Sequence, residues 1–344
     1  MPPCSRVVWK CYSRLMKLES LTLALFGLVL PGGCSTDFFG LEDNPTAVPP
    51  RTTSPETGRT EKRLSKHDTE TEQKSDAGAK QPIPRDMLPV PGGTFKMGLN
   101  HPRAIPDEKS EHTVTLPTYL LDKTEVTNQA YGECVDLGVC AKPKSIDTSR
   151  HGYAPLSEFR KPNHPVSGIS QTDAETYCRF RGKRLPTEAE FERAARGDDR
   201  RLYAWGNAPP AKELAQYRSK VTAKVGSKPK GAGPYGHLDL AGNVWEWTSD
   251  PYDPLAYTRP SASKGIPADC PTIKQTQDTL RRQGKQGFTG TNPIPRNCDH
   301  VLRGGAFNYF PWGLRASNRV HHPGHWKMIM AGFRCAKDIP PQDN

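Results

Sequence analysis

The apolar positions of this chain fall into one early continuous run, a long gap, and then short alternating and helical patterns. The run LTLALFGLVL fills residues 21–30 behind Lys17 and ends in Pro31, Gly32, Gly33 and Cys34. It is too short to span a bilayer, and its basic start and small-residue end have the layout of a signal peptide over residues 1–33, with Met16 read as the true start. From 43 to 84 large apolar residues almost vanish among Ser, Thr, Pro and charges. Such a stretch cannot bury enough surface to offset its ordering entropy, which predicts a disordered tether.

Periodicity resumes near residue 87. LPVPGGTFKMG reads as a short strand with a Pro-Gly-Gly turn, and HTVTLPTYLLDKTEVT as alternating strand residues. Thr127 or Asn128 caps a predicted helix over 129–137 that Gly138 ends. Ser170 and Asp173 form a capping box on a second, 172–181, stopped by Gly182. Thr187 and Glu190 do the same for a third, which Gly197 terminates and whose buried stripe is Ala189, Phe191, Ala194 and Ala195. Beyond Gly197 the patterns fade, and residues 252–298 read as a turn-rich insertion. Taken alone, these patterns give a mixed, loop-rich domain over 85–344.

Composition agrees, with 34% hydrophobic residues, 34 Pro and 30 Gly. The formal charge is +11, about +8 of it outside the leader, and no basic-aromatic motif accompanies it. A solvated basic surface is therefore expected, and nucleic acid is not an expected partner. Cys34, directly after Gly32-Gly33, resembles the lipidated cysteine of bacterial lipoproteins. That implies a membrane partner through a lipid anchor and a place in the cell envelope of a Gram-negative-type bacterium, with residues 34–84 as the stalk. Cys4 and Cys11 lie upstream. The six remaining cysteines, an even number in an exported domain, read as disulfides rather than metal ligands, since no CxxC pair occurs. Six allow ~15 pairings. Cys134 and Cys140 bracket one helix end, and Cys270 with Cys298 stand near the ends of the insertion.

Seven segments in order carry a resemblance: PVPGGTFKMG, DKTEVTNQAY, HPVSGISQTDAETYCRFRGKRLPTEAEFERAARG, YAWGN, GHLDLAGNVWEWTSD, VLRGGAF and AGFRCAKD. Over residues 87–338 the chain resembles the formylglycine-generating enzyme (sulfatase-modifying factor) family. The resemblance implies an α+β domain with little regular structure, related to C-type lectins. It implies a disulfide between Cys178 and Cys335, and a structural calcium ion held by the side chains of Asp239 and Glu246 and the carbonyls of Gly242 and Val244. Hard oxygen donors along a glycine-containing turn suit that ion. A second family calcium site, which falls near 214–226, has no recognisable acids here. Trp245, Trp247 and Trp205 read as core, and His164 as part of a structural turn.

Family members oxidise a cysteine of an unfolded sulfatase with copper held by two cysteines shortly after the RGG turn. Here the first of those positions carries Tyr309, and the second falls in 310–314, which holds no thiol. Copper(I) needs soft thiolates, so copper is not expected. Three functions follow, in order. The first is a non-catalytic envelope domain binding a protein, peptide or glycan through Asn308, Tyr309, Trp312, Arg315, Arg319 and Trp326, side chains of the kind that make hot spots. The second is an oxidoreductase with a transition metal at His321, His322 and His325, against the simpler reading of solvated loop histidines around Pro323-Gly324. The third is formylglycine generation by a rearranged site.

Overall fold

The computed structural model describes residues 84–102, 104–284 and 294–339. The expected leader, Cys34 and the tether as far as residue 83 lie outside the described residues. Among those described, no helix is long and apolar enough to cross a membrane.

Alternation builds the first hairpin. In β2 (Gly93–Met97) and β3 (His112–Leu116), Phe95, Met97, Val114 and Leu116 are buried, with Phe95 opposite Val114. The outward Thr94 and Thr115 hydroxyls meet at 3.1 Å. A second sheet runs β1 (Met87–Val90), β4 (Tyr119–Asp122), β9 (Ala336–Asp338), antiparallel throughout. The third has the order β7 (Arg319–His322), β6 (His300–Arg303), β5 (Trp245–Pro251), β8 (Ala331–Gly332), with β8 parallel to β5. With the helices this is the expected α+β architecture.

Thr127 caps α1 (Asn128–Asp136), accepting the Ala130 N–H at 3.1 Å. After the single turn α2 (Leu156–Phe159), both expected capping boxes are present, on α3 (Gln171–Phe180) and α4 (Glu188–Arg196). In α4 the small and aromatic stripe is buried as the pattern requires, but so are Glu188, Glu190, Glu192, Arg193 and Arg196. Buried charge persists only when paired, and here it is. Arg319 holds Glu188 at 2.8 and 2.7 Å, Arg303 bridges Glu188 and Glu192, and Arg184 reaches Glu190 at 2.7 Å.

The insertion is more ordered than its composition suggests. Residues 270–282 form α5 (Cys270–Arg282), capped by Asp269, which accepts the Thr272 N–H at 2.8 Å. Ile273, Gln277 and Leu280 make its buried face. The signal was present: an N-cap acid, a proline in the first turn, and apolar residues a helical spacing apart. Disulfides join Cys270 to Cys298, Cys134 to Cys140, and Cys178 to Cys335. The last, which the family resemblance implied, ties α3 to the strand end before β9.

Candidate functional site

The RGG turn that follows β6 sets the site. Gly304 and Gly305 take φ of 95° and 81°, and a Cβ on Gly305 would sit 2.6 Å from the Gly313 carbonyl. Only glycine allows the chain to double back this tightly. The fold brings Asn308, Tyr309 and Trp312 together just beyond it. Tyr309 stands edge-on to Trp245, with centroids 5.0 Å apart, and to Trp312 at 6.0 Å. Burial pushes its phenol above the ordinary value. The Asn308 amide donates to the Tyr153 hydroxyl at 2.6 Å, while its Oδ1 is buried without a partner. Phe310 and Trp312 are exposed, and Arg218 lies over the Phe310 ring at 5.4 Å. Tyr153, Arg218 and Phe310 were not among the sequence candidates. Phe310 adjoined them, but only folding could bring Tyr153 and Arg218 to the turn.

Arg315 and Arg319 do not belong to this surface. Arg315 is buried against Glu108, which it meets at 3.0 Å and which also accepts from Ser317 and Asn318 at 2.9 Å each. Arg319 is 1% exposed, locked on Glu188 and flanked by the rings of Tyr252 and Tyr257 at 4.9 and 4.7 Å. A guanidinium with its carboxylate in the core is structural, so both are corrected from ligand contacts to core ion pairs. Trp326 is half-buried and stacks on His322 at 5.2 Å.

The histidines are neither a solvated loop nor a converged centre. His321 and His322 are consecutive residues of β7, and alternation sends them to opposite faces. His321 is buried, with Nδ1 2.8 Å from Asp299 Oδ2 and its ring 4.0 Å from that of Tyr252. Burial, then the charge of His321, pulls His322 down to about 4, so it is neutral. His325 is exposed. Among the described residues, no group of three or more His, Cys, Asp or Glu side chains could hold a metal ion.

The expected calcium donors are likewise divided. Gly242 takes φ 90° with its Cα pressed against Gln216, where a Cβ would meet the carbonyl at 2.5 Å, and Val244 is buried. Asp239, at φ 57°, accepts the Gly226 N–H at 2.5 Å. Glu246 gives both oxygens to Arg334 at 2.7 Å each, so it has a counterion in place. Glu125, which the sequence did not mark, fills the gap: its Oε1 is buried without a partner, beside Asp239 and Glu246. Burial raises the carboxyls of Glu125, Asp239 and Glu246, and for Glu125 the neighbouring acids raise it further. Three acids thus share the one guanidinium of Arg334. Oxygen donors of the kind that Glu125 and Asp239 carry are those a hard divalent cation takes.

This fold, with its glycine turn and buried acid cluster, defines a known class. The family model of the sulfatase-modifying factor enzyme 1-like domain matches residues 72–339, and the chain belongs to that family. Among its relatives is the formylglycine-generating enzyme of Thermomonospora curvata, 32% identical over 315 residues that take in 75% of this chain and 95% of that one. Hercynine oxygenase of Mycolicibacterium smegmatis is 30% identical over 281 residues and 73% of this chain, which spans only 60% of that relative's length. In structure the chain is similar to PvdO from Pseudomonas aeruginosa, with a TM-score of 0.55 at 22% identity over 73% of this chain and 94% of that one, a likeness of fold.

Proposed function

We propose that this chain is a non-catalytic, binding member of its family, carried on a lipid-anchored tether in the cell envelope. One observation carries the reading. Every cysteine among the described residues is in a disulfide, and Tyr309 stands against Trp245 where the family resemblance puts the first copper thiol. No thiolate is left in the described domain to hold copper(I). In its place stands a surface of Asn308, Tyr309, Phe310 and Trp312, which can bind a protein, peptide or glycan. A calcium ion at Asp239 and Glu125, with the carbonyls of Gly242 and Val244, is the proposed structural cofactor, supported by the excess of buried negative charge around Arg334.

The test has two arms. Incubating the protein with copper and a sulfatase-type cysteine peptide, followed by mass spectrometry, should yield no aldehyde; a clear aldehyde signal overturns the reading. A photo-crosslinker in place of Phe310 should capture an envelope component in cells, and loss of every adduct sinks the binding role.

A further inference from the structure

We infer that the exposed 310–312 turn and the basic 212–230 loop beside it form a docking surface for an acidic glycan chain. This deepens the binding role proposed above and rests on it.

Charge is the first ground. Residues 212–230 carry Lys212, Arg218, Lys220, Lys224, Lys228 and Lys230 against the single acid Glu213. Most arginines elsewhere in the domain have a carboxylate partner, but among the described residues none of these six basic groups forms an ion pair. Lys228 acts on the Asp239 carboxyl, but Arg218 and Lys220, exposed and without a carboxylate partner, lie at the aromatic turn and are complementary to an anion with an apolar side.

Geometry ties the strip to the turn. The Arg218 N–H donates to the Tyr309 carbonyl at 3.1 Å, the Ser219 N–H donates to that of Phe307 at 2.7 Å, and the Arg218 guanidinium covers Phe310. Arg218 does this from a left-handed φ of 46°, a conformation a side chain adopts at a cost. Lys212 fastens it there, with its ammonium donating to the Arg218 carbonyl at 3.2 Å.

The backbone separates a glycan from an acidic peptide. The carbonyls of Ala306, Phe307, Tyr309 and Phe310 are all taken by N–H groups of this turn or of the loop. Those four carbonyls are not open to pair with an incoming peptide strand, which favours recognition by side chains. Sugar C–H faces stack on the exposed Phe310 and Trp312, and sugar acid groups meet Arg218 and Lys220.

Isothermal titration of the full chain with oligogalacturonate at low ionic strength tests this, with neutral chitohexaose and poly-glutamate as parallel probes. The expected result is binding of oligogalacturonate that weakens as salt rises. Trp312→Ala and Arg218→Gly should each weaken it about tenfold. Arg218→Gly, which relieves the φ, should melt no lower than the unaltered protein, so its loss of binding cannot be a loss of folding. No binding of oligogalacturonate, equal binding of chitohexaose, or indifference to both substitutions overturns the inference. Poly-glutamate bound as tightly and lost in the same variants also overturns it, assigning the surface to an acidic protein while the binding role stands. The crosslinking arm above judges that role separately.

Discussion

Replacing Arg334 by Met should be among the most damaging single changes in the domain. The side chain is fully buried, holds both oxygens of Glu246 at 2.7 Å, and donates to the Leu238 carbonyl at 2.9 Å and that of Asp122 at 3.2 Å. It is also the one guanidinium shared by Glu125, Asp239 and Glu246. Methionine matches much of its volume, so packing changes little and the loss is electrostatic. Breaking a buried pair by removing one partner costs roughly 3–5 kcal/mol. For a domain of this size that lowers the melting temperature by about 6–20 °C. The acids left behind, already raised above the ordinary carboxylate range, prefer to be protonated, so the deficit should be largest in alkali and shrink as pH falls. Adding Glu246→Gln to Arg334→Met should recover half or more of the loss, because it removes one stranded charge. Differential scanning fluorimetry on the tryptophans as pH is varied reads all of this. A loss under about 1 kcal/mol, or a double variant no better than the single one, would show that the acids are neutralised by something other than Arg334.

Three further outcomes can be measured on the same instrument. If calcium occupies Glu125 and Asp239, a hundredfold excess over Kd stabilises by about 2.7 kcal/mol; chelation should then lower the melting point of the unaltered protein but not of Glu125→Gln, and equal responses refute the site. Removing Cys178–Cys335, whose residues are 157 apart, should cost about 5 kcal/mol against about 2 kcal/mol for Cys134–Cys140, six apart, and the reverse order contradicts the chain-entropy account. Two groups pull oppositely with pH. Burial raises Asp250 to about 7, so its contribution is full in acid and lost as pH rises through 7, whereas His322, lowered to about 4, contributes above its ordinary value and loses it as pH falls toward 4. Asp250→Asn should therefore make stability rise more steeply with pH, and His322→Gln should flatten its fall in acid; slopes unchanged in both would contradict the assignment.

What could be read from the chain was local. Capping boxes at Ser170 and Thr187 are three-residue signals and fixed their helices to within a residue or so. Alternation likewise marked strand residues in 88–98 and 112–127, but not that β2 pairs with β3 while β1 pairs with β4 in another sheet. The ionic pairs were illegible because their partners are far apart: Arg315 and Glu108 are separated by 207 positions, and Arg334 and Glu246 by 88. An arginine in an aromatic neighbourhood looks the same in sequence whether it faces a ligand or fills a core. Glu125 escaped notice for a similar reason, since its cluster exists only after β4 and the 239–246 turn have met. The aromatic part of the candidate surface was legible because Asn308, Tyr309 and Trp312 are neighbours in sequence.

The position of β9 sets the timing of all this. Its three residues complete a sheet begun by β1 and β4, and just before it stand Arg334, the partner of Glu246, and Cys335, the partner of Cys178. Synthesis runs from the other end, so the sheet edge, the disulfide and the counterion all arrive last. Until they do, β4 keeps an open edge and the acid cluster has no cation. A chain cut short before Arg334 lacks the β9 edge of that sheet, the disulfide partner of Cys178 and the guanidinium that faces Glu246.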